Sequence, residues 1–215
     1  MKSTDRYFAL ACVLLVILAL GLAGCSSTGI QRSERATTTM QTMDNDTKLA
    51  AAQLDVTGAS LDELTKPGQS DVKKAFNSCT DNISRIEKME QSFAIHADEM
   101  KARGAEYFQE WQKEDNKYKN PQIRELSEQR RTELGEIYGK IAEASIGVKQ
   151  PFKAYVSDVK EIQIYLSNDL TSKGIEAIAP IARKAVDDGD KLKVAIRNLQ
   201  AAIERARLEM AQAGI

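Results

Sequence analysis

Residues 175–213 read IEAIAPIARKAVDDGDKLKVAIRNLQAAIERARLEMAQA. Ile178, Ala182, Ala185, Gly189, Leu192, Ile196, Leu199, Ile203, Ala206, Met210 and Ala213 recur there at alternating steps of three and four. That is the period of one face of an α-helix, whereas a half-buried strand alternates by two. A stripe so long and narrow can bury itself only against partner helices. Pro180 near its start predicts a kink or a broken first turn, because proline removes a hydrogen bond to the residue four back.

The same period extends toward the N-terminus. A third helix is predicted from Pro121 to Leu166, with Ile123, Arg130, Leu134, Ile137, Ile141, Ala144, Val148, Tyr155, Val159, Ile162 and Leu166 on its seam. Pro151 inside it predicts a kink. A second runs from Asp71 to Tyr118, its seam Val72, Phe76, Cys79, Ile83, Ile86, Glu90, Phe93, Ala97, Met100, Gly104, Tyr107 and Trp111. A first runs from Glu34 to Thr65 through Met40, Met43, Thr47, Ala50, Leu54, Thr57, Leu61 and Leu64. Pro67-Gly68 and Asn120-Pro121 are turn chemistry, and Asn168-Asp169 with Lys173-Gly174 end the third pattern. Short connections make successive helices antiparallel neighbours. The fold class is therefore all-α: an elongated antiparallel helical bundle or coiled coil of about four long helices, over residues 34–215.

Composition agrees. Aromatics are 6% of the chain, charged residues 28%, and only four prolines interrupt it. A β-rich domain would draw on aromatics and frequent turns. With 30 Lys plus Arg against 31 Asp plus Glu, there is no basic footprint for nucleic acid.

The N-terminus has a different character. Lys2 and Arg6, diluted by Asp5, precede an almost unbroken apolar run from Tyr7 to Leu20, then Leu22-Ala23-Gly24-Cys25. The run is short for a full membrane span, which needs ~20 apolar residues. A secretory leader ends in small residues before its cleavage point. Here Cys follows directly, and the segment resembles the lipobox of bacterial lipoproteins. The resemblance implies cleavage between Gly24 and Cys25, a diacylglycerol on the Cys25 thiol and an acylated new amino group. Residues 1–24 are then signal peptide, and 25–33 the lipidated Cys with a polar tether. Membrane lipid, held through acylated Cys25, becomes the first expected partner, since several acyl chains anchor stably where one does not. By the same resemblance, Ser26 and Ser27 in place of Asp favour the periplasmic side of the outer membrane over the inner membrane.

Three cysteines occur: Cys12 in the leader, Cys25, and Cys79. Only Cys79 remains as a thiol, so no intramolecular disulfide is available, and a buried inert side chain is expected. His96 is the sole histidine. It sits beside the second seam, more than about four turns from Cys79, so a solvated side chain is expected rather than a ligand. Asp158, Glu161 and Asp187-Asp188 fit solvated faces with lysine partners. Gly135-x-x-x-Gly139 has the small-residue spacing of membrane helix pairs, but Glu136 and Lys140 beside it are incompatible with a span. Phosphate loops, zinc spacings and nucleophile elbows are missing from the sequence. The expectation is no catalysis, no cofactor, no metal and no small-molecule substrate.

Tyr107, Phe108, Trp111 and Tyr118 gather the only Trp and a dense aromatic share near the end of the second helix. Tyr107 and Trp111 fit bundle core, whereas Phe108 and Tyr118 fall off the seam. Together they are a candidate tip contact. The second helix outruns the first by roughly sixteen residues, ~24 Å at helical rise. The Ser26–Ser33 tether reaches ~26 Å if extended. The tip would then return to headgroup level, where Trp and Tyr are enriched. The competing expectation packs these rings on Arg130 and Arg131.

Met100-Lys-Ala-Arg-Gly104 with Tyr107-Phe-Gln-Glu-Trp111, Pro151-Phe152 to Leu166-Ser-Asn-Asp-Leu170, and Ile181 onward resemble a family of Gram-negative, mostly marine, lipoproteins catalogued only as a domain of unknown function. The resemblance implies no activity, cofactor or catalytic residue. The expected function is a scaffold, tether or accessory subunit of an envelope complex, acting through a protein partner or self-association along the heptad seams. The alternative is a lipid-active or pore-forming protein whose amphipathic helices rearrange onto a bilayer. The elongated fold is checked on the 26–215 fragment: circular dichroism should be dominated by helix, and a scattering radius near the compact value of ~16 Å would contradict it.

Overall fold

The computed structural model describes residues 28–212; the expected leader, Cys25, the expected cleavage point and Ala213 lie outside them. Four helices follow one another: α1 Gly29–Leu64, α2 Val72–Asp115, α3 Pro121–Asn168 and α4 Ser172–Gln212. Each packs on its neighbour in the chain, and α4 closes back onto α1. The backbones of diagonal pairs among these four helices stay apart, so the layout is a closed square of antiparallel helices. At 1.5 Å per residue, the 48 residues of α3 span ~72 Å.

Local chemistry sets each end. Thr28 and Gln31 form a reciprocal capping box, Gln31 N donating to Thr28 Oγ1 at 3.3 Å and Thr28 N to Gln31 Oε1 at 3.1 Å. Helix α1 therefore starts at Gly29, inside the stretch expected as tether. The threonines just after it do not compete with the helix, because Thr37, Thr38 and Thr42 donate their hydroxyls to carbonyls one turn back. Asp71 caps α2 by accepting from Lys74 N at 3.0 Å, and Asn120 caps α3 by accepting from Gln122 N at 2.9 Å, with Pro121 in the first turn. Helix α2 stops at Asp115, short of Tyr118. Helix α4 begins at Ser172, ahead of Ile175, where Thr171 Oγ1 accepts from Gly174 N at 3.2 Å. A Cβ on Gly174 would stand 2.4 Å from Asp169 O, so the glycine that reads as a breaker instead fits a crowded first turn.

Neither internal proline ends its helix. Pro151 and Pro180 are both exposed within continuous α3 and α4. Each removes one ladder hydrogen bond, and partner helices hold the rest in place.

The core is a single column of side chains along the square's axis. All eight seam residues expected on α1 are buried, including Thr47 and Thr57. Their hydroxyls donate to Asp44 O and Gln53 O, each at 2.8 Å, so burial leaves no unmet donor. The α4 seam is buried from Ile178 to Ala206. On α3 the expected seam is buried at Leu134, Ile141, Val148, Tyr155, Val159, Ile162 and Leu166, and the structure widens it elsewhere. Tyr138, Ser145, Phe152 and Val156 are buried, Ile137 and Ala144 are only partly so, and Ile123 is exposed. Phe152 meets Phe93 of α2 edge-on, with centroids 5.9 Å apart.

Tyr138 shows how closely α2 and α3 approach. Its ring lies over Gly104, where an added Cβ would come within 2.0 Å of Cε1. Its hydroxyl donates to Met100 O at 2.6 Å, and burial pushes the phenol up to about 12. Gly104→Ala should therefore destabilise the protein by about 1–3 kcal/mol, the usual cost of overpacking. In a Tyr138→Ala background the same substitution should cost clearly less, as read by urea unfolding of both pairs.

Candidate functional site

The antiparallel square puts the start of α1, the α2–α3 turn and the end of α4 at one end of the rod. Side-chain bonds fix the levels there. Ser33 of α1 lies beside the Tyr107 hydroxyl, and Arg130 Nη2 donates to Glu209 O at 2.9 Å. This is the end from which the chain leads back toward Cys25.

Three of the four aromatics singled out in the sequence come together there. Tyr138, Phe108, Tyr107 and Trp111 form a continuous series of tilted and edge contacts, with successive centroids 5.8, 5.0 and 5.6 Å apart. Burial raises the Tyr107 phenol above its ordinary value. The series terminates in hydrogen bonds: Trp111 Nε1 donates to Ser127 Oγ at 2.8 Å, and Ser127 Oγ to Asp115 Oδ1 at 2.5 Å. Arg131 Nε donates to Asp115 Oδ2 at 3.0 Å. Asp115 is the last residue of α2, where the helix dipole opposes a carboxylate, and it is only 5% exposed. Arg131 and Ser127 offset both penalties. Tyr118 is separate from this series. It lies exposed on the turn, its carbonyl accepting from Arg124 Nη2 at 2.7 Å.

Arg130 stays near the Tyr107 phenol, and both guanidinium groups are hydrogen-bonded, Arg130 to Glu209 O and Arg131 to Asp115. The structure corrects one expectation. Helix α2 has 44 residues against 36 in α1, a difference of eight, about half of what the sequence pattern implied. Ser127 and the Asp115–Arg131 pair went unrecognised in the sequence, where Arg131 figured only as a partner for the rings. Their signal was a matched pair of i, i+4 spacings, Trp111/Asp115 and Ser127/Arg131, on either side of one turn.

Five large apolar side chains are exposed at this end: Tyr118, Ile123 and Leu126 around the turn, Ile30 in the first turn of α1 and Leu208 late in α4. The acids Glu110 and Glu114 are paired with Lys113 and Lys117.

Elsewhere, His96 is not simply solvated. Its Nδ1 lies 2.6 Å from Asp46 Oδ2 and links α2 to α1. Cys79 is a buried free cysteine whose thiol burial pushes up to about 11, an unreactive state near neutral pH. Asp188 has the lysine partners expected: Lys184 and Lys191 hold its carboxyl below the ordinary value. Among the described residues, no three His, Cys, Asp or Glu side chains converge as metal ligands, and no helix is long and apolar enough to cross a membrane.

The family described as a protein of unknown function (DUF2959) matches residues 24–212. No curated protein and no solved structure matches the chain. Arg131→Met would leave the Asp115 carboxylate buried without its cation, and urea unfolding should record a loss of about 3–5 kcal/mol. Adding Asp115→Asn to that variant should recover most of the loss; no recovery would refute the pairing as its cause.

Proposed function

The chain belongs to the DUF2959 family, and from that premise we propose a lipid-anchored, periplasmic, non-enzymatic bundle that acts through protein contacts. It serves as a scaffold, tether or accessory subunit of an envelope complex. One observation carries this reading. The capping box at Thr28 starts the rod three residues after Cys25 of the Leu22-Ala23-Gly24-Cys25 segment. Three extended residues reach ~10 Å, so acyl chains on Cys25 hold the bundle by its end, close to the bilayer surface. The sequence after Cys25 favours the outer membrane as that surface.

The long flanks then supply the contacts. The α1–α2 groove is lined by Asp46, Leu49, Arg85, Lys88, Met89 and Ser92. The α3–α4 groove sets exposed Tyr165 and Ile181 among Asp158, Glu161 and Lys184. Both are open and mix apolar with charged side chains, and neither is the deep apolar cavity that small ligands occupy. The lipid-active alternative has the buried column against it, because rearrangement onto a bilayer would first expose the four apolar seams to each other's loss.

Cys25→Ala should accumulate an unprocessed precursor that takes up no fatty-acid analogue, and normal processing of that variant would end the anchoring proposal. Ser26→Asp should move the protein toward the inner membrane on density fractionation. Affinity capture from solubilised envelopes should return a specific protein partner; if none is recovered, the scaffold role falls.

A further inference from the structure

We propose that the end of the rod bearing the α2–α3 turn is itself a lipid-contact surface. Tyr118, Ile123, Leu126 and Ile30 are its apolar side chains, and the headgroup layer holding the acyl chains of Cys25 is its occupant. The inference rests on the anchoring proposed above, and adds a second, non-covalent contact to it.

Length comes first. Ser33 lies beside the Tyr107 phenol in the register of antiparallel α1 and α2, which the Asp46–His96 pair also holds. Gly29 then stands level with Trp111, and α2 runs about four residues, ~6 Å, beyond it before the turn begins. The turn at residues 116–120 adds to that projection. The three residues between Cys25 and the start of α1 span at most ~10 Å. Projection and linker are of the same size, so a rod held at Cys25 brings this turn to the surface that holds it.

Side-chain direction comes second. On a helix the Cα–Cβ bonds lean toward the N-terminus. Helices α1 and α3 begin at this end, so Ile30, Ile123 and Leu126 lean toward it. Helix α2 ends here, so Tyr107, Phe108 and Trp111 lean back into the bundle, where they meet Tyr138. Ile123 is 46% exposed and Leu126 67%, one turn apart on the same face of α3. Isolated exposed apolar residues need no explanation, but this group sits at the one end that the linker can bring to a bilayer.

Charge sets the depth. Lys113 and Lys117 are paired with Glu110 and Glu114, while Lys119 is exposed on the turn itself. Lysines at such a boundary extend their ammonium groups to the headgroups and lay their stems on apolar surface. Glu125 and Glu128, exposed between and beside the apolar positions, limit the contact to the interfacial layer.

The test uses the full, lipidated chain reconstituted in vesicles of phosphatidylethanolamine and phosphatidylglycerol. Leu126→Cys carries an environment-sensitive dye, and Ile164→Cys, exposed toward the opposite end of α3, is the control; buried Cys79 stays unlabelled. The dye at position 126 should shift to the blue and be quenched severalfold by brominated lipid, while that at 164 should do neither. Equal behaviour at the two positions, in protein that floats with the vesicles, overturns the contact and leaves the anchor standing. A blue shift without lipid quenching assigns the patch to a second copy or another protein and also overturns it. Failure of the chain to float removes the anchor, and the inference with it.

Discussion

Each helix carries an apolar stripe only about two side chains wide, and a stripe of that width is satisfied only at the junction of neighbouring helices. Four stripes meeting on one axis require every helix to touch two others, which the α4–α1 contact completes. The long polar flanks, the single narrow core and the rod shape follow from that requirement. Small seam residues on α4, such as Ala182, Ala185 and Gly189, make room for large neighbours: the Tyr155 ring packs over Gly189, where an added Cβ would stand 3.1 Å from it.

Where the seam kept its period, the sequence was enough to find it. The expected stripes of α1 and α4 were legible because their positions are apolar, glycine or threonine, whereas the polar Arg32, Ser33, Asp44 and Gln53, buried beside the α1 seam, gave no such signal. On α3 the pattern was ambiguous. Ile137 and Ala144 are apolar beside Tyr138 and Ser145, and composition favours the wrong pair. Only packing against α2 decides it, through the ring of Tyr138 over Gly104 and the edge contact of Phe152 with Phe93. Helix ends were misjudged for a related reason. Thr28 with Gln31, and Thr171 with Gly174, are capping chemistry that resembles linker composition.

At the candidate site, the sequence drew attention to the aromatics and missed the polar residues that hold them. Trp111 is conspicuous because it is unique, yet its position depends on Ser127, and that of Ser127 on Asp115 and Arg131. A buried aspartate at a helix C-terminus is unfavourable in isolation, so nothing local marks it. Its partner lies across the turn, and that neighbourhood exists only once α2 and α3 are antiparallel. Ile123 shows the opposite error: its apolar character suggested core, and the structure leaves it in solvent.

A rod of ~72 Å joined to its support by three residues is, mechanically, a lever. Under the anchoring proposed here, the turn around Gly68 is its far tip and Thr28 its fulcrum. A sideways force on anything bound near Gly68 is multiplied several times at the base, where a covalent anchor alone would leave the rod's angle unset. A base that also rests on the surface through α3 resists that torque, so the rod could hold a bound partner at a set height and angle instead of trailing it on a loose string.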